Sequence, residues 1–99
     1  MTREQILQNV LEIVRFAQDR IPDITRVDIC EDTRPLEDIE KFDSKRWRGV
    51  RDLIALRLGI SLKGENIFRA GRSTPRTIGQ IADYLWGVVN SNLSNRAAA

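Results

Sequence analysis

Hydrophobic residues near the start of the chain recur with the period of an α-helix. Thr2 followed by Gln5 has the spacing of a capping box, in which each side chain bonds the other residue's backbone. The apolar positions that follow fall on one helical face: Ile6, Leu7, Val10, Leu11, Val14 and Ala17. Pro22 disfavours helix in the residue before it and cannot continue the helix. The pattern predicts a first helix from Thr2 to about Asp19.

Residues 22–42 show no sustained helical period, only scattered apolar residues in an acidic background. We expect a long ordered loop, which is unusual in a compact domain and is often functional. Val27 and Ile29 alternate with polar neighbours, so a short strand is an alternative for this part of the loop.

A second helix is predicted to begin at Asp43 or Ser44, since either side chain can cap it. Its inner face takes Val50, Leu53 or Ile54, and Leu58. Gly59 ends it, as glycine does at many helix C-termini. Gly49 inside this helix costs about 1 kcal/mol relative to alanine, and we interpret it as the mark of a close contact.

The remainder of the chain predicts two more helices. A short third helix is expected over residues 65–70, followed by a Gly-, Ser- and Pro-containing linker. Thr77 with Gln80 repeats the capping-box spacing, and Ile78, Ile81 and Leu85 form the inner stripe of a last helix that fades near Asn90. The prediction is an all-α, four-helix bundle over residues 1–91, with a long loop between helices 1 and 2, a short third helix, and a flexible tail over 92–99.

Composition narrows the function classes. The 99 residues include one Cys and no His, and no apolar run approaches the length of a membrane span. The single Cys30 excludes an internal disulfide, and zinc sites and His-dependent nucleophile pairs lack their usual residues. We expect a cytoplasmic carrier, binding module or small regulator rather than an enzyme, with no catalytic or metal-binding residues.

Charge is distributed unevenly along the chain. Residues 1–44 hold 11 acidic and 6 basic side chains, whereas residues 45–99 hold 3 and 10, and 13 of the 16 bases are Arg. Arg binds carboxylates and phosphates through a planar set of donors. The asymmetry predicts anionic partners or a weak homodimer, although solvated helix faces give the same pattern.

Ser44 is the position where several features coincide. A hydroxyl at a helix start lies near unpaired backbone N–H groups, which favour an attached anion. Lys45, Arg46 and Arg48 in the first turns would add to that attraction. The structural alternative is that Asp43 and Ser44 only cap the helix.

Four motifs together resemble the acyl carrier protein family. Asp43-Ser44 stands at the start of the second helix, and Gly59-Ile60 follows at the family's distance after it. In the last helix, Thr77-Ile78-Gly79 and Asp83-Tyr84-Leu85 are similar to the family's Thr-Val-Gly and Asp-Tyr-Ile. The resemblance extends from the first helix to Val89.

The resemblance implies a phosphopantetheine-binding carrier of lipid metabolism, related to the carriers of fatty acid biosynthesis. Ser44 would carry a covalent 4'-phosphopantetheine arm that holds acyl intermediates as thioesters. Asp43 would help bind the magnesium and coenzyme A used by a phosphopantetheinyl transferase. An acyl pocket is implied at four apolar positions that equally suit ordinary core packing: Val50, Ile54, Ile78 and Ile81.

The sequence also departs from the family. Lys45 replaces a leucine, and the second helix, typically acidic in the family, carries five bases against Asp52. We therefore expect a specialised carrier whose partner enzymes have acidic docking surfaces. The predicted partner-binding residues are Lys45, Arg46, Trp47, Arg48 and Arg51. Trp47 suits either partial core burial or, if exposed, an anchor for a partner.

Two alternatives remain open. One is a carrier-like interaction module without the arm, in which Ser44 is only a cap. The other is nucleic-acid binding along the Arg-rich second helix. About 23 residues separate the first two helices, whereas a helix-turn-helix motif has 3 to 4, which disfavours nucleic acid.

Overall fold

The computed structural model describes the backbone of residues 1–98 and the side chains of residues 1–91. The protein is mostly helical. Its elements in chain order are α1 (Arg3–Asp19), α2 (Pro35–Asp38), α3 (Ser44–Leu58), β1 (Arg69–Ala70), β2 (Thr74–Pro75) and α4 (Ile78–Ala98). The predicted first, second and last helices are α1, α3 and α4. The predicted flexible tail, 92–99, falls on residues whose side chains lie outside the described part, although the helical backbone of α4 continues past Asn90 to Ala98.

Local sequence signals set the helix ends as predicted. At α1, Gln5 donates its backbone N–H to Thr2 Oγ1 at 3.1 Å, and Thr2 donates to Gln5 Oε1 at 2.8 Å. Thr77 and Gln80 make the same pair of bonds, at 3.1 and 2.8 Å, before α4. Gly59 ends α3 in the left-handed conformation, with φ of 68°.

The core forms around α1, which packs against both α3 and α4. Its apolar face supplies the fully buried Ile6, Val10 and Val14. Phe68, also fully buried, packs edge to face against Phe42 with ring centroids 5.2 Å apart. One continuous hydrophobic cluster therefore joins the helices and the segment before β1.

The prediction of a short third helix over residues 65–70 is wrong. Residues 65–70 have no helical backbone, although Ile67 and Phe68 are both fully buried. Phe68 also donates its backbone N–H to Asn66 Oδ1 at 3.0 Å, a local bond that favours a turn. The segment instead leads into β1, which pairs antiparallel with β2. The short helix of the fold is α2, which begins at Pro35.

The long loop between α1 and α3 is confirmed, and the alternative of a strand at Val27 and Ile29 is not: neither residue is in a strand. Side chains of α1 hold this loop by its backbone. Gln18 accepts from Val27 N–H at 3.0 Å and donates to Val27 O at 2.9 Å, and Arg15 donates to Ile29 O at 2.9 Å. Apart from α2, the loop is therefore ordered without regular secondary structure.

Arg3 joins three parts of the fold. Its guanidinium lies 2.9 Å from Glu31 in the loop and 2.5 Å from Asp83 in α4, and it donates to Gly79 O at 3.3 Å. The hydrogen bond to Glu31, followed by that to Asp83, raises the pKa of Arg3 above its usual value.

None of the helices described over residues 1–98 combines the length and apolar character needed to cross a bilayer.

Candidate functional site

Ser44 is the first residue of α3, and its side chain is exposed. The capping position before it belongs to Asp43, whose Oδ1 accepts from Arg46 N–H at 3.1 Å. Among the described residues, the side-chain hydrogen bonds at this helix start are made by Asp43 and Arg46 and not by Ser44 Oγ. The sequence did not decide whether Asp43 or Ser44 caps the helix, and in the structure the capping residue is Asp43. The Ser44 hydroxyl is thus left accessible at the tip of the helix.

Basic side chains surround this hydroxyl, but they are not equally available. Lys45 and Arg48 are exposed. Arg46 is partly buried and folds back, donating to Lys41 O at 3.2 Å and lying 3.6 Å from Asp43 Oδ2. An anion on Ser44 would therefore meet the positive end of the α3 dipole and the exposed cations Lys45 and Arg48.

Two of the predicted partner-binding residues turn inward. Trp47 is only 9% exposed, and its ring lies 6.4 Å from that of Phe68, which excludes the reading of Trp47 as an exposed anchor. The Arg51 side chain is 12% exposed, pairs with Asp52 at 3.0 Å and lies 5.4 Å from the Trp47 ring centroid. Of the five predicted partner-binding residues, a partner can therefore reach Lys45, Arg48 and the exposed part of Arg46.

The four residues implied as an acyl pocket all lie in the core. Ile54, Ile78 and Ile81 have no exposed surface, and Val50 is 5% exposed. They share one buried cluster with Phe68 and Trp47. All four therefore belong to the packed core, which also holds large aromatic side chains.

The sequence analysis missed an open apolar groove along the outer side of α1 and α3, which we call the α1–α3 groove. It consists of two adjoining cavities of about 490 and 260 Å³, and Phe16 and Leu53 line both. Of the five large hydrophobic residues that are substantially exposed in the described chain, three line this groove: Phe16, Leu53 and Leu56. A signal was present, because Arg46, Gly49, Leu53 and Leu56 form a second stripe at helical spacing.

Gly49 lies at the side of this groove, in its smaller cavity. A Cβ built on Gly49 meets nothing within 4 Å, so the prediction that this glycine marks a close contact is wrong. The missing side chain leaves space beside α3 instead of admitting a neighbouring element.

The groove runs between antiparallel helices. Arg20, at the end of α1, and Lys45, at the start of α3, both line the smaller cavity. At the other end, Arg57 of α3 donates to Asn9 Oδ1 at 3.1 Å and lies 3.6 Å from Glu12 Oε1 on α1. The basic end of the groove is therefore the end next to Ser44.

The chemistry open to this site is that of a hydroxyl acceptor. The chain has no histidine, and among the described residues Ser44 Oγ makes no hydrogen bond to a side chain that could take up its proton. An external enzyme can reach the hydroxyl, and the helix N-terminus can stabilise a phosphodiester formed on it. The connection between α1 and α3, residues 20–43, is far longer than a helix-turn-helix turn of 3 to 4 residues.

Comparisons of the chain with family models, with curated proteins and with solved structures give no match in any of the three.

Proposed function

We propose that this protein is a specialised acyl carrier, a four-helix carrier-like domain that holds acyl groups as thioesters on a 4'-phosphopantetheine arm attached to Ser44. The observation that carries the proposal is the exposed Ser44 hydroxyl at the start of α3, relieved of capping by Asp43. The four carrier-like motifs of the sequence support it. The carrier itself catalyses no reaction, and its activity lies in presenting the acyl group to partner enzymes.

Attachment of the arm is a phosphoryl-type transfer from coenzyme A. Ser44 Oγ forms a bond to the phosphorus that carries the pantetheine, the phosphoanhydride bond of coenzyme A breaks, and adenosine 3',5'-bisphosphate leaves. The hydroxyl proton passes to a base of the transferase. Asp43 is exposed beside Ser44 and would contribute a carboxylate to the magnesium ion of that enzyme complex.

The test is the intact mass of the purified protein after incubation with coenzyme A and a broad-specificity phosphopantetheinyl transferase. We expect a gain of one phosphopantetheine group, lost in Ser44→Ala and retained in Ser61→Ala. Ser61 is a matched control because it is also exposed and lies three residues beyond the end of α3. No mass gain on folded protein that retains Ser44 would refute the arm.

The partners are proposed to be a phosphopantetheinyl transferase and acyl-transferring or synthase enzymes with acidic docking surfaces. Arg48 and Lys45 are exposed one turn or less from Ser44, so they face any enzyme that acts there. Arg48→Glu should lower the rate at which the transferase of the protein's own host loads Ser44. The loading rate should also depend less on salt concentration in this variant. Lys63→Glu makes the same charge change outside α3 and should load normally. Equal rates for both variants would refute a basic docking surface.

A second candidate is an interaction module of the same fold without the arm. Lys45 in place of the family's leucine favours it, because the transferase would meet a cation where it expects an apolar side chain. Mass analysis of protein purified from its own host separates the two: unmodified Ser44 throughout the sample supports the module.

A further inference from the structure

The α1–α3 groove opens beside Ser44. Lys45 and Arg46, the two residues after Ser44, line its smaller cavity, and Arg57 lines the larger one. Twelve residues of α3 separate Lys45 from Arg57, which corresponds to about 18 Å along the helix axis. A flexible chain tethered at Ser44 can therefore enter at one end and follow α3 almost to its C-terminus.

The lining of the groove suits an alkyl chain. Leu56 is 80% exposed, Phe16 49% and Leu53 44%, so each leaves apolar surface in water that a ligand could cover. The two cavities expose mainly carbon to a ligand, with Glu12 and Arg57 paired to each other at the far end. A linear aliphatic chain gains free energy in proportion to the apolar area it removes from water.

The end of the α1–α3 groove next to Ser44 is positively charged, which suits an anionic phosphodiester on that residue. Arg20, Lys45 and Arg46 line the cavity nearest Ser44, and none of the acidic side chains that the structure describes lines it. A phosphodiester at Ser44 would add negative charge at this basic end. The groove thus matches an amphiphile whose anionic group lies at the Ser44 end and whose alkyl chain points toward Arg57.

The interior offers less room. Ile54, Ile78 and Ile81 are fully buried, and they belong to the same hydrophobic cluster as the fully buried Phe68. An acyl chain could enter between these side chains only by opening a cavity in a packed core. The α1–α3 groove already has the required volume at the surface, and the absent side chain of Gly49 keeps it open.

From these observations we propose that the α1–α3 groove binds the alkyl part of a linear acyl group carried on Ser44, outside the helical core. The proposal rests on the proposed function, since it assumes the arm on Ser44. It goes further by assigning the bound chain to α1 and α3 and by excluding the buried residues Ile78 and Ile81 as its site.

Two probes test the groove, and one of them needs no arm. Decyl phosphate, kept below its micellar concentration, is titrated into the unmodified protein while the methyl resonances of leucine and isoleucine are followed by NMR. We expect the Leu53 and Leu56 methyls to shift and those of Ile78 and Ile81 to stay. The second probe is octanoyl-phosphopantetheine loaded onto Ser44, compared with the unacylated arm, which should give the same pattern.

Gly49→Leu supplies the blocking variant, because its side chain would occupy the near cavity without meeting any atom within 4 Å of the Cβ. Gly87→Leu is the matched control: Gly87 is an exposed helical glycine of α4 whose Cβ also meets nothing within 4 Å. Binding of decyl phosphate should weaken at least tenfold in Gly49→Leu and stay unchanged in Gly87→Leu. Circular dichroism checks that both variants keep their helix content.

The outcomes separate this proposal from the proposed function. If Ser44 loads but the octanoyl chain shifts the methyls of Ile78 and Ile81 and not those of Leu53, the groove is refuted and the carrier stands. If Ser44 cannot be loaded but decyl phosphate binds as expected, the groove is retained as an amphiphile site and the carrier function is refuted. Equal affinity in the two leucine variants overturns the groove, as does a concentration-dependent dimer that Gly49→Leu abolishes, which would assign the surface to a second copy.

Discussion

Gln18 is a buried polar residue whose removal should loosen the loop between α1 and α3. Its side chain is 4% exposed, and its amide makes two hydrogen bonds to the backbone of Val27, one as acceptor at 3.0 Å and one as donor at 2.9 Å. Gln18→Ala removes both and leaves the Val27 N–H and C=O without those partners. Each hydrogen bond contributes about 1 kcal/mol, and a backbone group that water cannot reach adds a further cost when its partner is removed. The free energy of unfolding should therefore fall by about 2 to 3 kcal/mol.

The assay is thermal and urea unfolding followed by circular dichroism. A loss of this size should lower the melting temperature by roughly 10 to 20 °C in a domain of this length. Gln18→Met keeps most of the side-chain volume, so a similar loss in that variant assigns the effect to the hydrogen bonds. Amide exchange at Val27 gives a local readout, and it should become faster in both variants.

Gln8→Ala is the matched control on the same helix. Gln8 is exposed, and its amide makes a single long bond of 3.4 Å to Glu4, so the change should stay within about 0.5 kcal/mol. The reasoning is refuted if Gln18→Ala costs no more than Gln8→Ala, or if exchange at Val27 is unaffected.

Two further predictions concern α4. Gly79→Ala would place a Cβ 2.7 Å from Glu31 Cγ and displace that side chain, so we expect a loss of about 1 kcal/mol on urea unfolding. Gly87→Ala, with open space around the added Cβ, should raise the free energy of unfolding by up to about 1 kcal/mol. A rise in both variants would contradict the close approach of Glu31 to Gly79. Tyr84, the single tyrosine, donates to Glu65; this bond, followed by burial, raises the pKa of Tyr84 above its usual 10. Because the folded-state pKa is raised, the associated stability is present below pH 10 and is lost as the pH rises through the folded pKa. Absorbance titration of tyrosinate should show a midpoint above 10 that falls in Glu65→Gln, whereas an unchanged midpoint would refute the role of the bond.

The three long helices were predictable because their signals are local. Thr2 and Thr77 each stand three residues before a glutamine, and the structure contains both reciprocal capping pairs. The exposed Ser44 also follows from local sequence, since Asp43 before it can accept from the backbone of the first turn. Such bonds form between residues three apart and need no knowledge of the tertiary fold.

The segment at residues 65–70 and the α1–α3 groove were not predictable in the same way. Whether Ile67 and Phe68 both face the core depends on what lies on either side of them, and α1 lies far away in sequence. The groove requires Phe16 and Leu53, 37 positions apart, to meet along a helix seam. Periodicity identifies a buried stripe on each helix, but it does not show which second stripe remains uncovered after the helices pack.

The packing of α1 against α4 also determines when the protein can fold during its synthesis. Arg3 contacts Asp83, 80 residues further along the chain, and the apolar face of α1 is covered only when α4 has emerged from the ribosome. A nascent chain that ends at Leu58 has α1 and α3 but still exposes the α1 surface that α4 later covers. Native folding of this unit therefore waits until α4 has been synthesised, and before that point the growing chain exposes hydrophobic surface that chaperones can bind.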